Sequence, residues 1–68
     1  MAREKIDEGR FALDVTRLGE KTETWDHARR TVELVDGNVV VTRHQDHGGE
    51  PTTTILPPGT AVTIKNKS

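Results

Sequence analysis

The chain reads as a small all-β protein, an antiparallel meander or barrel of four to five short strands. One helical turn near residues 24–30 is the single local alternative. Three observations carry that reading. Ten Thr and seven Val stand in only 68 residues, and branching at Cβ suits a pleated sheet better than a helix. Apolar residues alternate with polar ones over most of the chain, which is the strand period. Gly, Pro and Asp gather between the alternating runs, where turns are required.

The elements follow in order. Residues 1–9 hold Ile6 as their one large internal apolar side chain and end at Gly9, so they read as a flexible arm. From Arg10 the alternation is regular: Phe11, Leu13 and Val15 interleave with Ala12, Asp14 and Thr16. Gly19-Glu20-Lys21 supplies a turn. Residues 22–30 are ambiguous. Trp25, Ala28, Val32 and Val35 fall at helical spacing and Thr24 would cap a helix there. The strand reading puts Glu23, Trp25 and His27 on one face, and the strand-demanding segment that follows favours it.

Asp36-Gly37 is the clearest local signal, because both central residues of a type I′ turn need positive φ. Counting outward pairs Val35 with Asn38, Leu34 with Val39, Glu33 with Val40, Val32 with Val41, Thr31 with Thr42 and Arg30 with Arg43. A slip of one residue would mix Arg43 into the apolar block, so this register is preferred. Residues 45–51 form a loop by composition. Thr52 to Leu56 returns as a strand, Pro57-Pro58-Gly59-Thr60 suits a type II turn, and Ala61 to Lys65 closes with Val62 and Ile64 inward. Residues 10–65 are then a single β domain, and 66–68 a polar end. The expected inner set is Phe11, Leu13, Val15, Trp25, Val32, Leu34, Val39, Val41, Ile55, Val62 and Ile64.

Composition narrows the function classes. With one Phe, one Trp, no Tyr and four Leu, the core is thin, and chains this short usually need a staple or a partner. Cysteine is absent, so neither disulfides nor thiolate zinc sites are available. A homo-oligomer or a protein partner is therefore expected. No apolar run reaches the roughly 18 residues of a membrane span, and the charged start Met1-Ala2-Arg3-Glu4-Lys5 is not that of a signal peptide. A cytoplasmic location without membrane contact follows by default. Net charge is −1, which lacks the basic excess of a nucleic-acid binder.

Two constellations stand out. His44, Asp46, His47 and Glu50, with His27 elsewhere, have the chemistry of metal ligands but match no specific metal spacing. A solvated loop explains them better, so no metal or cofactor is assigned and a His-loop metal site is a second alternative. The other is a basic cluster. The hairpin register sets Arg30 across from Arg43 and Arg29 across from His44, and facing like charges demand compensation. Asp14, Glu23, Asp26 or Asp46 would supply it internally. Otherwise Arg29, Arg30, Arg43 and His44 form an anion-binding surface for nucleic acid, another polyanion or an acidic protein. Trp25 serves either as core filler or as an interface anchor. Thr52, Thr53, Thr54 and Thr63 have no repeat behind them and read as ordinary strand residues.

The stretch from Gly37 to Ile64 joins Gly-Asn-Val-Val-Val, a His-containing loop, Glu50 and Leu-Pro-Pro-Gly-Thr-Ala-Val-Thr-Ile. It resembles part of a cupin-type jelly roll over less than half of the chain. His44, His47 and Glu50 do not reproduce that family's close ligand spacing, and a full cupin barrel needs more residues. The resemblance reads as shared hairpin chemistry.

The sequence has no cysteine nucleophile, no Ser apart from Ser68 and no phosphate-cradling Gly loop, and nothing marks out one of its Thr as a nucleophile with a base. The expected function is thus a non-enzymatic protein-binding module, a regulator, inhibitor or assembly subunit, acting through a sheet edge or apolar face. Trp25, Val39, Val40 and Val41 are the expected contacts, since Val39–Val41 as an exposed edge would invite pairing.

Overall fold

The computed structural model describes residues 3–68. Five strands, β1 (Arg3–Thr16), β2 (Glu23–Val35), β3 (Asn38–Arg43), β4 (Thr52–Leu56) and β5 (Ala61–Lys65), form one antiparallel sheet in the order β4-β3-β2-β1-β5. The two long strands are its spine, paired from Arg3 opposite Val35 to Val15 opposite Glu23. The short strands attach at opposite ends of that hairpin: β3 along residues 30–35 of β2, and β5 along residues 12–16 of β1. β4 and β5 are the two outer strands and do not pair with each other, so the sheet curls without closing into a barrel.

The Asp36-Gly37 hairpin has the register counted from the sequence, from Val35 opposite Asn38 to Arg30 opposite Arg43. Both turn residues have positive φ, 51° and 85°, as a type I′ turn requires. The second turn also forms as expected, with Gly59 at φ 91° and Thr60 N–H donating to Pro57 O.

Two β-bulges shape the spine. Ile6 is an extra residue in β1, between the pairs Lys5–Glu33 and Asp7–Val32. Asp26 and His27 together face Ala12, between the pairs Phe11–Ala28 and Leu13–Trp25. Each bulge changes which alternate residues face inward. The first brings Phe11, Leu13 and Val15 onto the face of Val32. The second turns Trp25 onto that same face.

The core is Phe11, Leu13, Val15, Val32, Val41 and Leu56, with Trp25, Val39, Val62 and Ile64 packed against it. Several expectations are corrected here. Residues 3–9 are not a flexible arm but the first half of β1, held by pairing with β2; residues 1–2 of that expected arm lie outside the described residues. Residues 24–30 contain no helical turn. Leu56, not Ile55, points inward: Leu56 pairs with Val39, and Ile55, two-thirds exposed, sits beside Val40 on the other face. Leu34 is partly exposed instead of buried. Val39–Val41 is not an edge, because β2 and β4 cover β3 on both sides. The polar end is tied down, Ser68 N–H donating to Arg10 O and Lys67 pairing with Asp7.

Candidate functional site

Alternation along β2 puts Arg30 on the same face as Ala28 and Val32, so an arginine is carried into the interior. It is 3% exposed. A buried charge is costly unless its hydrogen-bonding groups are met. Here Arg30 Nη1 donates to Phe11 O (2.8 Å) and to Asp26 O. The Asp26 carbonyl belongs to the second bulge and the Phe11 carbonyl to the residue flanking it, where the β1–β2 ladder is interrupted. The irregularity that turns Trp25 inward thus also meets backbone acceptors that hold the guanidinium. The Trp25 ring completes its setting, with its centroid 5.9 Å from Arg30 Cζ.

Above Arg30 lies an open cleft of about 450 Å³. Thr24, Trp25, Asp26 and Arg30 line it from β2, Val41 and Arg43 from β3, and Thr52 and Thr54 from β4. The side chains of β3 and β4 reach it because Arg43 pairs with Thr52 and Val41 with Thr54, all on the inner face. Asp26 spans the two cations at long range, Oδ1 3.4 Å from Arg30 Nη2 and Oδ2 4.0 Å from Arg43 Nη2. Burial lowers the Arg30 pKa from its ordinary value; the Asp26 charge works against that shift, and Arg43 adds to it.

The expected basic cluster therefore divides. Arg30 and Arg43 share the cleft. Arg29 and His44 belong to the outer face, where His44 Nε2 meets Thr31 Oγ1 at 2.8 Å and Arg29 stands opposite Arg10 in the β1–β2 register. Of the four candidate counter-charges, Asp26 is the one at Arg30 and Arg43, while Asp46 acts on Arg29 from the other face. Asp14 pairs with Lys65, Glu23 with Arg17 and Asp46 with Arg10. The Arg10 guanidinium holds the Asp46 carboxyl below its usual range, and the Trp25 and Arg17 donors do the same for Glu23. Asp46 and His44 are thus engaged away from any common centre. Among the described residues, no group of three or more His, Asp or Glu is placed to hold a metal ion.

Of the expected contact residues, Trp25 lines the cleft, Val39 and Val41 face the core, and Val40 lies on the outer face beside Ile55. Two features escaped the sequence reading: the burial of Arg30 and the contribution of Thr52 and Thr54 to the cleft. The first was signalled by its parity with Val32. The second depended on the phase of β4. Among the described residues, no helix is long and apolar enough to cross a membrane. The chain matches no protein-family model, no curated protein and no solved structure.

Proposed function

We propose that this protein is a non-enzymatic protein-binding module that takes an extended segment of a partner along the free edge of β4. The supporting observation is that edge. β4 is an outer strand of five residues, Thr52–Leu56, none of them charged. Exposed edges are commonly guarded by charges, bulges or proline within the strand. Here Pro51, Pro57 and Pro58 stand outside the strand, so they bound the pairing segment without removing a donor from it. β5, the other edge, carries Lys65 bound to Asp14.

The two faces beside β4 differ, and that defines the segment which fits. The outer face offers exposed Ile55 next to Val40, suited to an apolar side chain. The inner face offers Arg43 and the threonines of the cleft, suited to an acidic one. A strand alternating apolar and acidic residues satisfies both.

Selection of displayed random heptapeptides on the immobilised protein tests this reading. Alternating apolar–acidic sequences are expected to be enriched, and Ile55→Asp to abolish their binding with the sheet signal in circular dichroism intact. Lack of enrichment, or binding indifferent to Ile55→Asp, rejects it. Concentration-dependent dimerisation lost in the same variant assigns the edge to a second copy of this chain. Polyanion binding is the second reading, favoured by Arg30 and Arg43 meeting in one cleft. A salt-sensitive shift with single-stranded DNA that Arg43→Gln removes would support it.

A further inference from the structure

We propose that the cleft over Arg30 and Arg43 is a carboxylate-binding site, and that the Asp26 side chain is a displaceable stand-in for its ligand. The proposal rests on the protein-binding reading only for the source of the carboxylate, an acidic side chain of the partner segment.

Asp26 is placed as a ligand would be, but too far out. Its two oxygens address the two guanidinium groups separately, at 3.4 and 4.0 Å. Unstrained charge-assisted contacts run to about 2.7–2.9 Å. The same molecule reaches that range elsewhere, with Arg10–Asp46 at 2.7 Å. Asp26 does not close in, and its side chain is 77% exposed. Its backbone sits in the bulge, and its own carbonyl accepts from Arg30.

The cations, by contrast, suit an incoming acid. Arg30 is fixed by its two carbonyl acceptors, which pre-organises it. Arg43 is half-exposed and free to close over a ligand. Displaced from contact, Asp26 still stands beside the cleft, so the two guanidinium groups keep a net excess of one positive charge, which a single carboxylate neutralises and a phosphate dianion overcompensates. Reach is also adequate. A strand added to β4 would lie two inter-strand spacings from β3, about 10 Å, which the lengths of an Arg and a Glu side chain cover together. The acidic residue opposite Thr52 would then enter beside Arg43.

Free acetate, titrated at constant ionic strength and followed by NMR at the Trp25 indole N–H and the Thr52 and Thr54 amides, tests the cleft apart from the edge. Saturable shifts confined to these groups are expected. Arg43→Gln should abolish them. Asp26→Asn should tighten acetate binding by about three- to tenfold, as expected for removing one nearby like charge in a solvated site. Non-saturating shifts, or an Asp26→Asn variant that binds no better, overturn the proposal. Inorganic phosphate outcompeting acetate overturns the carboxylate assignment. A parallel pair of peptides separates this from the edge reading. Acetyl-Glu-Val-Glu-Val-Glu-amide should bind more tightly than its Gln counterpart if the cleft reads carboxylates. Equal binding of both peptides keeps the edge and rejects the cleft; binding of acetate but of neither peptide does the reverse.

Discussion

At the scale of single residues, Arg30 couples the interior to the cleft. Truncation by Arg30→Ala leaves Phe11 O and Asp26 O without their donor and opens space beneath Trp25. The expected loss is about 2–4 kcal/mol, read from the urea midpoint. Arg30→Met restores most of the volume without the charge and should be milder than Arg30→Ala. Equal loss in both variants would place the effect in the hydrogen bonds and not in packing. In the apolar core, Leu13 is fully buried, so Leu13→Ala should cost about 2–5 kcal/mol. The position of Arg30 was legible in part. Its pairing with Arg43 follows from the Asp36-Gly37 turn, and the same count puts it two residues from Val32, on Val32's face. Its burial follows from the curl of the sheet, which no local count contains.

At the scale of elements, the bulges decide more than the strands. Trp25 and Ala28 are three residues apart, a helical interval, yet both face the core from one strand. The bulge at Asp26-His27 inserts the extra residue and so imitates helical spacing in a strand. Deleting His27 should restore plain alternation, with Asp26 alone opposite Ala12 and Trp25 still opposite Leu13 on the core face. Its fluorescence maximum should then be unchanged with β-sheet circular dichroism retained; a shift to longer wavelength would show that the extra residue is itself needed to hold Trp25 inward. The hairpin turn is a local matter. Gly37→Val puts a β-branched residue at φ 85° and should destabilise by about 1–2 kcal/mol, measured by thermal unfolding. β4 shows the limit of local reasoning. Its span was evident, but an eight-residue connection, residues 44–51, precedes it, and no residue pair there specifies the turn type from sequence. The phase against β3 was therefore open, and Leu56 rather than Ile55 came to face inward.

At the scale of the whole molecule, 34 × 30 × 19 Å in extent, the sheet curls enough to bring Leu56 of β4 into one core with Phe11, Leu13 and Val15 of β1. With six residues in the buried cluster, surface ion pairs tie distant parts of the chain, Lys67–Asp7, Lys65–Asp14 and Arg10–Asp46, and Arg17–Glu23 spans the β1–β2 turn. The carboxyls of Asp7, Asp46 and Glu23 are all held below their ordinary values, Asp7 chiefly by its hydrogen bond from Lys67. A folded-state pKa below the unfolded one contributes stability that is present above the unfolded value and lost as pH falls through the folded one. Stability should thus be level near neutrality and decline from the ordinary carboxylate range, 3.8–4.5, downward. Urea unfolding at a series of pH values checks this. A decline that begins well above that range would show that these three carboxylates do not set it.

The sequence by itself determined the all-β class, the two turns with positive φ, the register of the β2–β3 hairpin and the limits of β4 and β5. These depend on backbone preferences and alternation within a few residues of a turn. Tertiary structure alone decided that residues 3–9 complete a long strand, that Leu56 fills the core, and that Arg30, Arg43, Trp25 and two threonines of β4 share one cleft. Each of these depends on a bulge, or on a strand's phase across a loop. Such features shift a whole strand by one residue, and their cost is met by packing elsewhere in the sheet.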